Sequence, residues 1–143
     1  MDIGVLGEGK SHFDSHADIC AGGSNFVMLD NPDHIKNHVD VAPFSEEYKT
    51  IKGIPVASCA TSYTDLEKGE TYILVFHQML YFGEKLSHSL LCPNQIRDHG
   101  NIVEDCPRQY SKKSSHGMTL NSEDDETLFI PMELEGTILF IDT

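Results

Sequence analysis

Asp14 and Ser15 are the residues of this chain whose types and spacing are best suited to chemistry. A carboxylate can act as a general base towards water, and a neighbouring hydroxyl can hold that carboxylate in place. Hydrolysis of a peptide without a covalent intermediate also needs an acid for the carbonyl oxygen. Two carboxylates that share one proton supply both functions. Since the chain offers one Asp-Ser pair of this kind and no second copy, a carboxylate dyad would need Asp14 from each subunit of a homodimer.

The residues around this pair resemble a known active-site motif. The segment Phe13–Asp18 reads Phe-Asp-Ser-His-Ala-Asp. It is similar to the active-site turn of the retroviral-type aspartic proteases (retropepsins), whose pattern is Asp-Ser/Thr-Gly-Ala-Asp/Ser, with His16 in place of the usual glycine. A second block resembles the proteases of Ty1/copia-type retroelements, in Met79–Gly83 (Met-Leu-Tyr-Phe-Gly) and His88–Leu91 (His-Ser-Leu-Leu). The resemblance covers about residues 13–100 of the chain.

The resemblance implies an aspartic endopeptidase that needs no cofactor and acts as a homodimer on the polyprotein of its own retroelement. Asp14 would be the catalytic acid and base, and Ser15 would hydrogen-bond across the dimer to hold the two turns together. His16, Ala17 and Asp18 would lie on the substrate side of the cleft. Ala17 would leave room for the substrate, and Asp18 would accept hydrogen bonds from its backbone or from a basic residue.

A flap that closes over the substrate is also implied by the resemblance. It would lie within residues 40–53, with its tip near residues 43–47. Many flaps of the family are rich in glycine, whereas this stretch has no glycine before Gly53.

A metal site is an alternative reading of the same segment. His12, Asp14, His16, Asp18 and Cys20 alternate along the chain, and on one extended strand they would share a face. In a dimer, two copies of Asp14 and His16 could surround one divalent ion. The alternative function is therefore a non-catalytic homodimer of the same fold that binds a divalent metal or a peptide through Asp14 and His16. The family turn would break such a ladder, so we assign no metal.

The elements that must position these residues are predicted to be mainly β-strands. We expect a single domain over residues 1–143, folded as a small closed retropepsin-like barrel with one short helix in the C-terminal half. The clearest element is a hairpin between Ile51–Tyr63 and Thr71–Phe82, whose arms are apolar and flank a cluster of turn-forming residues. The helix is predicted over Ser87–His99, with Pro93 in its first turn and Gly100 at its end.

The remaining segments are predicted from composition. Residues 1–10 are short and rich in glycine, and we expect them to be flexible. Residues 107–126 are polar and predict a mobile surface insertion. A last hairpin is predicted between Leu128–Pro131 and Thr137–Ile141, across Glu135-Gly136.

Composition restricts the classes of function. The chain has a formal net charge of −13, which argues against nucleic-acid binding, since that depends on cationic contacts with phosphate. No apolar run is long enough to span a membrane, and the N-terminus lacks the layout of a secretory signal, so we expect no membrane partner and a cytoplasmic location. The four cysteines form no Cys-x-x-Cys pair, and no Gly-x-Ser-x-Gly motif is present.

Overall fold

The computed structural model describes residues 9–14, 17–42, 49–122 and 126–143. Its elements are mainly β-strands, as predicted, with one short α-helix in the described part of the chain. In chain order they are β1 (Lys10–Phe13), β2 (Cys20–Gly22), β3 (Val27–Met28), β4 (His38–Val41), β5 (Ile51–Asp65), β6 (Glu70–Tyr81), β7 (Ser89–Leu91), α1 (Pro93–Asp98), β8 (Ile102–Glu104), β9 (Gly117–Asn121), β10 (Thr127–Pro131), β11 (Glu133–Glu135) and β12 (Ile138–Asp142).

The central hairpin is confirmed. Strands β5 and β6 pair antiparallel from Val56↔Leu80 to Asp65↔Glu70, with one register shift between Ala57 and Cys59. The Asp65 carboxylate accepts the backbone N–H groups of residues 67 and 68, at 3.0 and 3.2 Å, and so closes the turn.

The predicted closed barrel is wrong. One 9-stranded sheet runs in the order β11-β12-β1-β7-β2-β6-β5-β3, with β4 paired to β5, and its end strands do not pair with each other. Strands β8, β9 and β10 form a separate 3-stranded sheet. Its buried side chains, such as Met118 and Ile130, share one core with Leu74 and Met79 of the large sheet. Because the second sheet and α1 cover this apolar face, burial of the face does not require the large sheet to close.

The predicted helix over Ser87–His99 is only half correct. Its first part contains strand β7, whose first and last residues, Ser89 and Leu91, are fully buried in the large sheet. Helix α1 begins at Pro93, because proline fits a first helical position and lacks only an N–H that would be unpaired there. Gly100 follows the helix with a φ of +85°, a left-handed conformation that favours glycine.

The C-terminal segments differ from prediction in two respects. Within the second half of the predicted surface insertion, residues 117–121 form strand β9, in which Met118 is fully buried. The first half, residues 107–116, contains no strand or helix. Strand β10 pairs with β9 rather than with the chain end. The last hairpin joins β11 to β12 across Gly136. Strand β11 was not predicted from the sequence, because its three residues are all exposed and show no apolar pattern.

The remaining expectations concern the N-terminus and the membrane. Of the N-terminal segment expected to be flexible, residues 1–8 lie outside the described part, and Lys10 already belongs to β1. Across the described ranges, the structure contains no helix with the length and apolar composition needed to cross a membrane.

Candidate active site

Asp14 is the first residue after strand β1 and is partly buried. Its backbone N–H donates to the carbonyl of Leu91, the last residue of β7, at 2.9 Å. The N–H of Ala17 donates to the Asp14 carbonyl at 3.2 Å. We call Asp14 and Ala17–Ile19 the Asp14 segment. Ser15 and His16, which the sequence places at the centre of the motif, lie outside the described residues.

Strand β7 lies between the strands that lead into and out of the Asp14 segment. It pairs parallel with β1, where Phe13 is opposite Leu91, and antiparallel with β2, where Ala21 is opposite Leu90. The chain therefore leaves β1, passes the end of β7 and returns as β2 on the other side of β7. Asp14 therefore lies at the end of the group of strands β1, β7 and β2, where its N–H is bonded to β7.

A network of side-chain hydrogen bonds joins strands β1 and β7 to the chain that follows β2. Asn25 is its centre: the amide nitrogen donates to the hydroxyls of Ser11 (3.1 Å) and Thr143 (2.7 Å), and the amide oxygen accepts from the hydroxyl of Ser89. Ser89 in turn accepts the backbone N–H of Gly23 at 2.8 Å. The network restrains strands β1 and β7 and the chain that follows β2.

The two other described motif residues, Ala17 and Asp18, differ in exposure. Ala17 is partly buried, whereas Asp18 is exposed. Asp18 lines an open depression between the Asp14 segment and helix α1, together with Asn94, Asp98 and His99. The depression offers space for a ligand beside Ala17 and Asp18, and its lining combines polar side chains with apolar ones such as Ile19.

Gln95 of helix α1 closes the floor of this depression. Its side-chain oxygen accepts the backbone N–H of Cys20 at 2.7 Å, and its nitrogen donates to the carbonyl of Gln78 at 2.8 Å. Behind it lies a more enclosed cavity of about 530 Å³, lined mainly by apolar side chains of β6, α1 and the small sheet. Gln78, Gln95 and His99 line both the depression and the cavity, so the two spaces are adjacent. Asp14 is not among the residues that line either of them.

The predicted flap corresponds in part to an exposed hairpin. Strand β4 pairs with the start of β5, from His38↔Pro55 to Val41↔Ile51, and its residues are mostly exposed. The Asp40 carboxylate accepts the N–H of Gly53 at 3.0 Å, and Gly53 has a φ of +72°. The predicted tip, residues 43–47, lies outside the described part of the chain.

The continuous ladder of metal ligands considered from the sequence does not form. Strand β1 ends at Phe13 and β2 begins at Cys20, so the alternating residues do not share one strand. Within the described ranges, no group of three or more His, Cys, Asp or Glu side chains is arranged to hold a metal ion. His12 instead stacks on His88, with ring centroids 4.8 Å apart and an interplanar angle of 21°. Burial, followed by repulsion from His88 and Lys10, lowers the pKa of His12.

The buried thiols of Cys20 and Cys59 are poor nucleophiles. Cys20 is 1% exposed, and burial raises the pKa of its thiol to about 11. Burial likewise raises the pKa of Cys59 to about 11. Both thiols are therefore protonated at neutral pH, and a thiolate is the reactive form. This chemistry disfavours a cysteine-dependent reaction at these two positions.

Sequence reasoning missed the residues that support the Asp14 segment. Gln95 carried a signal, because it follows Pro93 in the first turn of the predicted helix, but nothing in the sequence indicated its bonds to Cys20 and Gln78. Asn25 and Ser89 carried none, since a small polar residue in a short segment is usually a turn or surface residue. Their importance depends on contacts between residues more than 60 positions apart.

Comparisons with known proteins give no match: no protein-family model, no curated protein and no solved structure is significantly similar to this chain.

Proposed function

We propose that this protein is an aspartic endopeptidase of the retropepsin type, which acts as a homodimer and cleaves the polyprotein of a Ty1/copia-like retroelement. Asp14 of each subunit contributes one carboxylate to a shared dyad. One carboxylate takes a proton from water while the other, protonated, donates to the carbonyl oxygen of the scissile peptide. Ser15 supports the dyad, and His16, Ala17 and Asp18 contact the substrate.

The observation that carries the proposal is the backbone hydrogen bond from Asp14 to Leu91, made at the end of a strand held between β1 and β2. A carboxylate dyad functions only if both groups are held close together, because their mutual repulsion keeps one proton bound. A residue anchored to a buried strand end satisfies that need better than one on a free loop. The open depression beside Ala17 and Asp18 and the exposed β4–β5 hairpin further support a site that admits a peptide.

The test is proteolysis by the purified protein and its Asp14→Asn and Asp14→Ala variants. A casein-like substrate is incubated from about pH 4 to pH 7, with and without a chelator and a pepstatin-type inhibitor. Asp33→Asn is the matched control, since Asp33 is exposed and lies in a separate 3₁₀ turn. We expect chelator-insensitive cleavage that is lost by at least about 100-fold in both Asp14 variants, the scale of general acid–base catalysis.

Unimpaired cleavage by either Asp14 variant would overturn the mechanism. Absence of cleavage by the wild-type protein at every pH would overturn the enzymatic proposal. If such an inactive protein bound a divalent metal stoichiometrically as a dimer, the non-catalytic binding alternative would replace it.

A further inference from the structure

Cys92 occupies the junction between the strand that anchors Asp14 and the helix beside the depression. It follows Leu91, the last residue of β7, and is the N-cap residue of α1. The residue is 2% exposed. Cysteine is not among the residues usually favoured at this cap position.

The thiol of Cys92 makes two hydrogen bonds there. Its Sγ accepts the backbone N–H of Gln95 at 3.4 Å, which caps the helix. The same Sγ donates to the carbonyl oxygen of Ala17 at 2.8 Å. The backbone N–H of Cys92 donates to the Sγ of Cys20 at 3.2 Å. One side chain therefore joins the helix start to the Asp14 segment.

We propose that Cys92 is a positioning residue for Asp14, an inference that rests on the proposed function. Two consecutive residues bind the Asp14 segment at two points. The Leu91 carbonyl accepts the N–H of Asp14, and the Cys92 thiol donates to the carbonyl of Ala17. The two contacts together restrain the chain at Asp14 and at Ala17. In the proposed dimer they therefore limit movement of the Asp14 carboxylate.

The consequence for catalysis follows from the dyad. Two carboxylates that move apart repel each other less, so their two apparent pKa values approach each other. Since only the singly protonated dyad is active, the pH range of activity then becomes narrower. Loss of positioning also lowers kcat, because misplacement of a reacting group by about 1 Å can cost about 100-fold.

The experiment compares Cys92→Ala, Cys92→Ser and Cys59→Ala. Serine keeps a donor and is a favourable N-cap, whereas alanine removes the bond to Ala17. Cys59 is the matched control: it is 0% exposed, and the one side-chain bond found for it within the described residues is a long contact to the Ala57 carbonyl at 3.9 Å. Each full-length variant is assayed for kcat and KM across pH, and for hydrogen exchange at the backbone N–H of Asp14.

We expect Cys92→Ala to lower kcat by about 10- to 100-fold, to narrow the pH profile and to speed exchange at the Asp14 N–H. Cys92→Ser should restore all three, and Cys59→Ala should change none of them. Equal behaviour of Cys92→Ala and Cys59→Ala would overturn the inference while leaving the proposed function intact. If the wild-type protein does not cleave, the proposed function fails, and positioning of a catalytic Asp14 fails with it.

Discussion

Ser11 and Ser89 lie directly opposite each other in the parallel pair β1–β7, and both are fully buried. The side-chain amide of Asn25 bonds to both hydroxyls and so joins the two strands two residues before Phe13 and Leu91. The register of two strands is set mainly by the side chains that are buried on one face. The amide bridge reinforces the register in which the Leu91 carbonyl meets the Asp14 N–H.

Replacement of Asn25 by alanine is predicted to destabilise the protein. The change removes the three side-chain bonds of Asn25 and leaves the buried hydroxyls of Ser11 and Ser89 with fewer partners. We expect the free energy of unfolding to fall by about 2 kcal/mol, within the range for buried groups that lose a hydrogen-bond partner. Urea denaturation measures this change.

The control for Asn25→Ala is Asn37→Ala, because Asn37 is exposed and its backbone carbonyl, which the substitution keeps, accepts the N–H of Val56 in β5. This control should stay within about 0.5 kcal/mol of the wild type. Equal stability of the two variants would show that the amide bridge does not restrain the strands.

The pH dependence of stability should contain a contribution from His12. Burial, repulsion from His88 and repulsion from Lys10 lower its folded-state pKa, and Glu135 opposes them. As the pH falls, the unfolded chain therefore binds the proton before the folded chain does. The stabilising contribution of neutral His12 is fully present above its ordinary pKa of about 6.5. It is lost as the pH falls from there towards the lowered pKa of the folded state.

We accordingly expect His12→Gln to reduce the loss of stability between about pH 7 and pH 5, measured by thermal unfolding at several pH values. His38→Gln, at an exposed position of β4, serves as the control and should keep the wild-type slope. A His12→Gln protein with the same slope as the wild type would contradict the assignment.

The sequence predicted the elements that form from local signals. Strands β5 and β6 are long, rich in apolar and β-branched residues, and separated by a turn whose Asp65 and Gly69 suit that geometry. These features depend on neighbours in the chain, which a sequence pattern records directly.

Features set by distant contacts could not be predicted. Ser89–Leu91 is a strand only because β1 and β2 bind it on both sides, and its sequence is equally compatible with a helix start. The open sheet arises because β8, β9 and β10 cover the apolar face, although β9 lies in a segment that reads as polar. The bond from Cys92 to Ala17 crosses 75 positions of the chain, and no spacing rule indicates it.

The most direct test of the shared dyad is a subunit-mixing titration. Wild-type and Asp14→Asn chains are combined in varying ratio at constant total concentration, allowed to exchange, and assayed for peptide cleavage. If each active unit needs one Asp14 from each of two copies, activity falls with the square of the wild-type fraction, to about one quarter at an equal mixture. The Asp33→Asn chain should cause no loss. A linear fall, to about one half, would contradict the account, because each copy would then carry a complete site of its own.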